Sequence, residues 1–396
     1  MLGWFSRMVV PAVVGCILCG PAMAQQAEQL RERINKGTVT VVTGGFDDSL
    51  IMSELAEELN LPGSIRILPL TGDGGFQNVA DILYLRGIDM AVIESDTLAL
   101  LKRRNLYPNL QRRVNIISKL YIEEIHLIAN RAIKSIAELA GRRVNFGIQG
   151  SGDYERSQLL FQAVGVSPTP VALEPSDALE RVKNGSLAAT ILVAPKPSTF
   201  LRQADLGESV HLLSIPFAGS LVENYVPVSI TKDDYPSLID SAAGVKTLGV
   251  SAVMAVYNWP GVNERSRKVE NFVATFFENI QKMHAPQYHP KWKEVTLNAE
   301  LPGWNRLQVA QRWLADKAAE QQARRQQEII GETAGEGLRA EFRNFLSALE
   351  KSRTLQPGQE PAVATPSQTP AQQPVSDEAL QNLFTDFLEW RREQTQ

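Results

Sequence analysis

The sequence is poor in the residues that build redox and metal sites. It contains two cysteines and four histidines in 396 residues. Cys16 and Cys19 lie in the apolar N-terminal segment, so removal of that segment leaves neither a thiol nor a disulfide. His284 and His289 lack the H-E-x-x-H spacing of a zinc site. The composition gives no support to a metal centre, a cofactor or thiol chemistry.

The chain also lacks a surplus of basic residues and a long apolar run. Its formal net charge is -4, whereas nucleic-acid-binding domains carry a basic face. Beyond the N-terminus no stretch is long and apolar enough for a membrane span. With 44% hydrophobic residues, the chain is predicted to be globular and long enough for two domains.

The N-terminus has the layout of a secretory signal. One positive charge in Met1–Arg7 precedes an apolar run, and Ala22-Met23-Ala24 provides an A-x-A cleavage site. We therefore predict a signal peptide at 1–24 and export to the periplasm. A competing interpretation treats Val13–Cys16 as a lipid-attachment box, which would anchor the protein through Cys16.

From Thr38 onward, candidate strands and helices alternate, which favours α/β domains with mostly parallel sheets. The predicted strands are 38–43, 65–69, 89–93, 116–121 with 125–129, 143–146, 189–193, 210–215 and 248–256. Predicted helices include 49–60, 76–86, 154–164 and 263–283. Ligands of such sheets bind outside the carboxyl ends of the strands.

Three glycine-rich turns stand between a predicted strand and a predicted helix, at 43–49, 71–78 and 149–152. Helix N-termini after such turns can hold an anion, although glycine turns also serve the backbone alone. The turn around Ser151 fails the phosphate motifs, because Asp153 replaces the lysine of a Walker loop. It also fails the G-x-S-x-G motif of serine hydrolases. The turns therefore favour recognition of a small polar or anionic ligand over catalysis, and we expect no enzyme.

An ordered series of segments resembles one family. "LTGDGGFQNVADILYLRGIDMAVIESD" (70–96) and "ISKLYIEEIHLIANRAIKSIAELAGRRVNFGIQGSGDYERSQLLFQAVGV" (117–166) are followed by "VKTLGVSAVMAVYNWPG" (245–261) and "ELPGWNRLQVAQRWL" (300–314). Together they resemble the TAXI family of extracytoplasmic solute receptors, which serve tripartite ATP-independent periplasmic (TRAP) transporters. The similarity covers roughly 38–317.

The resemblance implies a type 2 periplasmic-binding-protein fold, with two α/β lobes that close on a small organic acid or amino acid. Lobe one would comprise 38–128 plus 223–317, and lobe two 129–222. The implied partners are the ligand and TRAP-type membrane permease subunits.

Candidate ligand-binding residues follow from the turns and the resemblance. Backbone donors and amides of lobe one would come from Thr43, Gly44, Gly45, Phe46, Asp73, Gly74, Gln77 and Asn78. An anion seat in lobe two would comprise Gln149, Gly150 and Ser151. Tyr121 and Glu124 would form the wall near the hinge, Glu94 and Asp96 the mouth, and Lys196 would neutralise a carboxylate. We expect His126 to be a packed strand residue.

The first turn departs from the family, which usually has Gly-Thr-Gly-Gly followed closely by tyrosines. Here it reads Val42-Thr43-Gly44-Gly45-Phe46-Asp47-Asp48. Two acidic residues would repel a carboxylate and could meet an ammonium group instead. Selection of an amino-bearing ligand by Asp47 or Asp48, loss of the ordinary ligand, and a solvated acidic turn all remain open.

Beyond Lys317 the sequence changes character. A helical extension is predicted at 318–355, a disordered Pro/Gln/Thr/Ala linker at 356–375 and an amphipathic terminal helix at 376–396. "FRNFL" (342–346) and "FTDFL" (384–388) share a motif. The terminal helix would pack on the receptor body or dock on another envelope protein. Two functions follow: a solute receptor for a transporter, or an interaction or sensory subunit of the cell envelope.

Overall fold

The computed structural model describes residues 23–30, 37–60, 65–354, 385–390 and 392. Nearly all of the predicted signal peptide, the whole predicted linker and most of the predicted terminal helix lie outside the described residues. Residues 23–30 are helical. The chain divides into two compact units, Met1–Leu314 and Ala315–Gln396.

The strands of the first unit are close to those predicted. They are β1 Thr38–Thr43, β2 Arg66–Thr71, β3 Met90–Glu94, β4 Val114–Asn130, β5 Arg143–Asn145, β6 Thr169–Val171, β7 Ala189–Ala194, β8 Val210–Leu212, β9 Val226–Ile230 and β10 Val245–Tyr257. The sequence analysis missed β6 and β9, which are short and have mostly exposed side chains, so they lack the apolar pattern of a strand.

The α-helices fill the connections. They are α1 Phe46–Leu59, α2 Gly75–Tyr84, α3 Ser95–Arg104, α4 Leu110–Arg113, α5 Gly152–Ala163, α6 Pro175–Lys183, α7 Thr199–Gln203, α8 Glu264–Asn279 and α9 Gln308–Thr354. No described helix of the chain has both the length and the apolar character that a membrane span requires.

The strand order shows two lobes with the same plan. The main path runs β2-β1-β3-β10-β4-β7-β5-β6, with β9 beside β10 and β8 beside β4. In lobe one, β1 pairs in parallel with β2 and β3; in lobe two, β5 pairs in parallel with β6 and β7. This is the type 2 periplasmic-binding-protein fold, as predicted from the sequence, with additional helices at the C-terminus.

The expectation of mostly parallel sheets is wrong, because the sheet is mixed. The two longest strands, β4 and β10, pair antiparallel with all their partners, including each other. β4 leaves β10 and joins β7 at Glu124, and β10 leaves β9 and joins β3 between Gly249 and Ala252. Both strands therefore run through both lobes, and their middle forms the hinge region.

Each lobe has its own core on both faces of its sheet half. In lobe one, the largest core cluster places Phe272 and Phe276 of α8 against β1, β2 and the fully buried Trp292. In lobe two, Phe161 of α5 stacks on Phe146 at the end of β5, with ring centroids 5.2 Å apart. These separate cores hold the strand ends of the two lobes on opposite sides of a cleft.

The second unit contains an aromatic cluster. The ring of Phe387, in the helical segment 385–390, makes a T-shaped contact with Phe342 of α9 at 5.1 Å and also packs on Phe345. Trp390 stacks on Phe387 at 6.2 Å. Because Phe345 and Phe387 are 3% and 1% exposed, the terminal segment packs on the chain's own extension. This packing differs from both sequence-based alternatives, the receptor body and a partner protein.

Candidate functional site

The first turn of lobe one reaches across the cleft and contacts lobe two. Gly45 precedes α1, and Asp47 and Asp48 lie in the first turn of that helix. Asp47 accepts hydrogen bonds from the Ser198 hydroxyl (2.6 Å) and from the backbone amides of Thr199 (2.7 Å) and Phe200 (3.3 Å). An acidic side chain is favoured at this position, because the amides belong to the N-terminal turn of α7.

The alternative of a solvated acidic turn is wrong, because both side chains are buried. Asp47 is 6% exposed and Asp48 is 5% exposed. The Tyr121 hydroxyl of β4 donates to Oδ1 of Asp48 at 2.8 Å. Burial raises the pKa of Asp48 to about 7, against the Tyr121 hydrogen bond, and nearby Glu94 raises it further. The charge of Asp48 therefore changes around neutral pH.

A second contact between the lobes centres on Arg156 of α5, which the sequence analysis did not single out. The buried guanidinium donates from Nε and Nη2 to both oxygens of Asp96 in α3, at 2.6 and 2.9 Å. It also donates to Asp153 at 2.5 Å. Tyr225 donates its hydroxyl to Asp96 at 2.6 Å. Burial alone would raise the pKa of Asp96, but Arg156 and Tyr225 lower it below its ordinary value.

Two glycines allow the lobes to approach closely. A Cβ on Gly75 of α2 would stand 3.0 Å from the Cα of Gly152 at the start of α5. A Cβ on Gly152 would stand 3.2 Å from the Cα of Gly75, so side chains at either position would push the helices apart. Together with Asp47 and Arg156, this contact shows that the structure is closed.

A cavity of about 170 Å³ lies between the lobes in this closed state. Lobe one contributes the start of α1 and lobe two the end of β7 and the starts of α6 and α7. Its lining is Gly45, Phe46, Asp47, Asp48, Pro175, Ser176, Leu192, Val193, Ala194, Pro195 and Phe200. The walls are mainly apolar, and two carboxyl groups lie at one side, as in small-molecule sites with few polar groups.

The structure brings some predicted site residues together. Gly45, Phe46 and Asp47 line the cavity, and Gly44 faces Gly74 across the cleft floor, since a Cβ on Gly74 would stand 3.5 Å from the Cα of Gly44. Glu94 is buried beside Arg156, at 3.7 Å. Tyr121 reaches the same region through Asp48.

Other predicted residues have local roles. The Thr43 hydroxyl lies 2.6 Å from that of Ser49, and the Asn78 amide donates to the Val92 carbonyl. Gln77 is exposed and donates to Asp81, and Asp73 is exposed.

In the loop that was predicted as an anion seat, Ser151 forms hydrogen bonds with its own neighbours in the chain. Gln149 and Gly150 are exposed. The Ser151 amide donates to the Ile148 carbonyl, and the Ser151 hydroxyl accepts from the Tyr154 amide as the N-cap of α5. The anion seat stays a prediction, because the amide and the hydroxyl of Ser151 already have hydrogen-bond partners.

Glu124 and Lys196 lie together in a second pocket of about 580 Å³, which Tyr121 also lines. Adjacent residues of a strand point to opposite faces, so Glu124 points away from its neighbour Glu123 and from Asp48. Its carboxylate contacts the Lys291 ammonium at 2.6 Å. The Lys196 amide donates to Glu124, and its ammonium donates to Asp234 at 3.1 Å and to the Ser229 carbonyl at 2.7 Å. Neutralisation of a ligand carboxylate by Lys196 stays a prediction, and its ammonium is already paired.

His126 is a packed strand residue, as expected. It is fully buried, and Nε2 lies 2.9 Å from the Tyr235 hydroxyl. Burial lowers the pKa of His126 to about 4, so the ring is neutral at neutral pH.

Glu123 and Arg156 are the main site residues that sequence reasoning missed. Glu123 is 1% exposed and its pKa is raised well above the ordinary value, by burial and by Asp48 and Glu94. The signal was present: Glu123 interrupts the long apolar strand of "LYIEEIHLIA". A charged residue inside such a strand is expected to be paired or to serve a site.

Two lobes, a hinge of two shared strands and a cavity at their closure define a two-lobed binding protein. The sequence model of the NMT1-like family matches residues 49–303, which is more than half of the chain, so the chain belongs to this family.

Several solved structures are similar to the chain at low sequence identity. A Xanthomonas citri protein bound to a chloride ion is 11% identical, with 74% of this chain and 99% of that chain covered and a TM-score of 0.40. A Streptococcus pneumoniae amino acid transporter substrate-binding protein bound to L-arginine is 13% identical, with coverage of 67% and 98% and a TM-score of 0.39. The L-cystine solute receptor of Neisseria gonorrhoeae, in an unliganded open conformation, is 12% identical, with coverage of 68% and 99% and a TM-score of 0.34.

Proposed function

We propose that the chain is an exported solute-binding receptor, which captures a small organic solute between its lobes and delivers it to a TRAP-type membrane permease in the periplasm. The observation that carries the binding role is the cavity at the carboxyl ends of β1 and β7, where both lobes contribute walls. The resemblance to TAXI receptors and the signal-like N-terminus support the transporter and the compartment.

A panel of amino acids, amines and carboxylates tests this role by thermal shift. A solute that binds only the folded state stabilises it by about 2.7 kcal/mol at a concentration of 100 Kd. Gly45→Leu should reduce the shift, because Gly45 lines the cavity and a Cβ there meets no atom within 4 Å, so the added side chain changes the cavity wall without a clash. Ser237→Leu, on the exposed surface, is the matched control. The receptor role is refuted if the panel and solute-rich periplasmic extracts leave the melting temperature unchanged.

A second function is supported by the closed lobes. Asp47 of the first turn already binds the N-terminus of α7, so the chain's own side chain occupies part of the cleft. A binding-protein fold held shut in this way would suit an interaction or sensory subunit of the envelope, with the C-terminal unit as its docking element. Absence of any solute response would favour this function.

A further inference from the structure

Three carboxyl groups converge under the cleft, and of these only Glu94 has an ion-pair partner among the described residues, Arg156. Asp48 of α1, Glu94 of β3 and Glu123 of β4 are at most 8% exposed. The position of a Cβ on Gly44 would be 2.9 Å from Asp48 Oδ2 and 3.8 Å from Glu94 Oε1, so both oxygens face the same glycine. Oε1 of Glu123 has no hydrogen-bond partner within the described structure.

Arg156 neutralises this cluster only in part. Arg156 is the nearby cation, but it forms its close contacts with Asp96 and Asp153 and lies 3.7 Å from Glu94. Asp47 adds a further negative charge from α1, and the remaining donors are the hydroxyls of Tyr121 and Thr97. Buried carboxylates without a counter-charge must take up protons or meet a cation.

The cavity adjoins the cluster through Asp48, which belongs to both. Its other walls are the apolar side chains of Phe46, Leu192, Pro195 and Phe200, among others. A dry cavity of about 150 Å³ in another protein admits benzene, so a space of about 170 Å³ accepts a solute with a body of that size. An apolar space with anionic groups at one side is complementary to a compact cation with an apolar body.

We infer that the solute of this receptor is a small primary amine with an apolar body, whose ammonium group lies between Asp48, Glu94 and Glu123 beside Gly44. The inference rests on the proposed receptor function and names its ligand class. The lack of a side chain at Gly44 lets Asp48 and Glu94 approach each other there, and Phe46 and Phe200 line the space for the apolar body. A plain carboxylate lacks the positive charge that these carboxyl groups would meet.

Benzylammonium, with benzoate and benzyl alcohol as probes of similar size, tests the ligand class by calorimetry on the full mature chain. Benzylammonium should bind, and benzoate should not. Glu123→Gln should weaken benzylammonium binding roughly tenfold or more, as expected for loss of a charged hydrogen bond. Asp205→Asn, which removes a surface carboxylate that is 93% exposed, should leave binding unchanged.

The pH dependence provides a second readout. Burial raises the pKa of Asp48 to about 7, so its ionised fraction grows between pH 6 and pH 8 while benzylammonium stays protonated. Binding should therefore tighten over this range in the wild type.

Four results would overturn the inference. Benzoate binding as tight as benzylammonium binding, or equal benzylammonium affinity in Glu123→Gln, would show that the carboxyl cluster does not receive the ligand. If no amine binds but another solute of the wider panel does, the ligand class is wrong and the receptor function stands. If nothing in the panel or the extracts binds, both fail.

Discussion

Two neighbouring aspartates at the lobe junction, Asp47 and Asp48, are both buried but differ in their partners. Asp48 has one neutral donor, Tyr121, and the carboxyl neighbours Glu94, Asp47 and Asp153, so its ionisation works against the folded state. Proteins tolerate such groups mainly where function requires them. Asp47, one residue earlier, accepts hydrogen bonds from backbone amides across the cleft, and these bonds favour its ionised form.

Asp48→Asn should stabilise the protein at alkaline pH. The folded-state pKa of Asp48 is about 7 and its ordinary value is 3.8, so the folded state binds more protons between these values and loses stability as pH rises through them. Asparagine removes this loss and keeps an oxygen for Tyr121. The gain in unfolding free energy over the wild type should grow by a few kcal/mol from pH 4.5 to pH 8, at about 1.4 kcal/mol per pKa unit.

Urea unfolding at the two pH values measures this gain, with Asp205→Asn as the control for net charge. A gain that is equal at both pH values would show that Asp48 does not titrate in this range. The same variant should lose affinity for benzylammonium, which would link the instability of this residue to binding.

Among the elements, α3 and α5 contribute the strongest electrostatic contact between the lobes. The Arg156 guanidinium is 1% exposed and forms a two-bonded pair with Asp96, whereas Arg104 of α3 pairs with Glu155 of α5 at a side-chain exposure of 41%. Both pairs join the same two helices, so burial is the main difference between them.

Arg156→Met should destabilise the protein by about 3–5 kcal/mol, because Asp96 would be left buried without its partner. Arg104→Met should cost about 1 kcal/mol or less, since exposed ion pairs contribute little. Urea unfolding compares the two variants, and small-angle scattering should show a larger radius of gyration only for Arg156→Met. Equal losses would mean that the buried pair does not hold the lobes together.

On the scale of the whole molecule, the C-terminal unit is a separate compact body with its own aromatic core. Phe387 is 1% exposed within it, whereas the neighbouring Leu388 is 41% exposed. The chain itself covers the apolar ring of Phe387, so a partner could bind through this residue only if the segment detached.

Phe387→Ala should release the terminal segment without affecting solute binding. Loss of a core phenylalanine typically costs about 3–5 kcal/mol of stability. We expect the remaining contacts of this short helix to be too weak to keep it bound. Limited proteolysis with mass spectrometry should show faster cleavage within 342–390 in Phe387→Ala than in Leu388→Ala. A clear fall in the melting temperature of the body would contradict this and assign the segment to the receptor core.

The sequence by itself determined the α/β class and most strand positions, because strand and helix periodicity are local properties of the chain. The two-lobe fold was implied by the resemblance to the TAXI family. It also located the first turn, whose glycines and acidic residues reappear at the cavity. It did not reveal the mixed sheet, since pairing of β4 and β10 joins residues far apart in the chain.

Only the tertiary structure decided which charges are paired. Arg156 meets Asp96 and Asp47 meets the amides of α7 across the cleft, while Glu124 and Lys196 find partners elsewhere. Burial raises the pKa of Asp48, Glu94 and Glu123, and residues from three different elements create that burial. The charge of a carboxyl group is set by its distance to partners and to solvent, and the order of residues along the chain does not contain these distances.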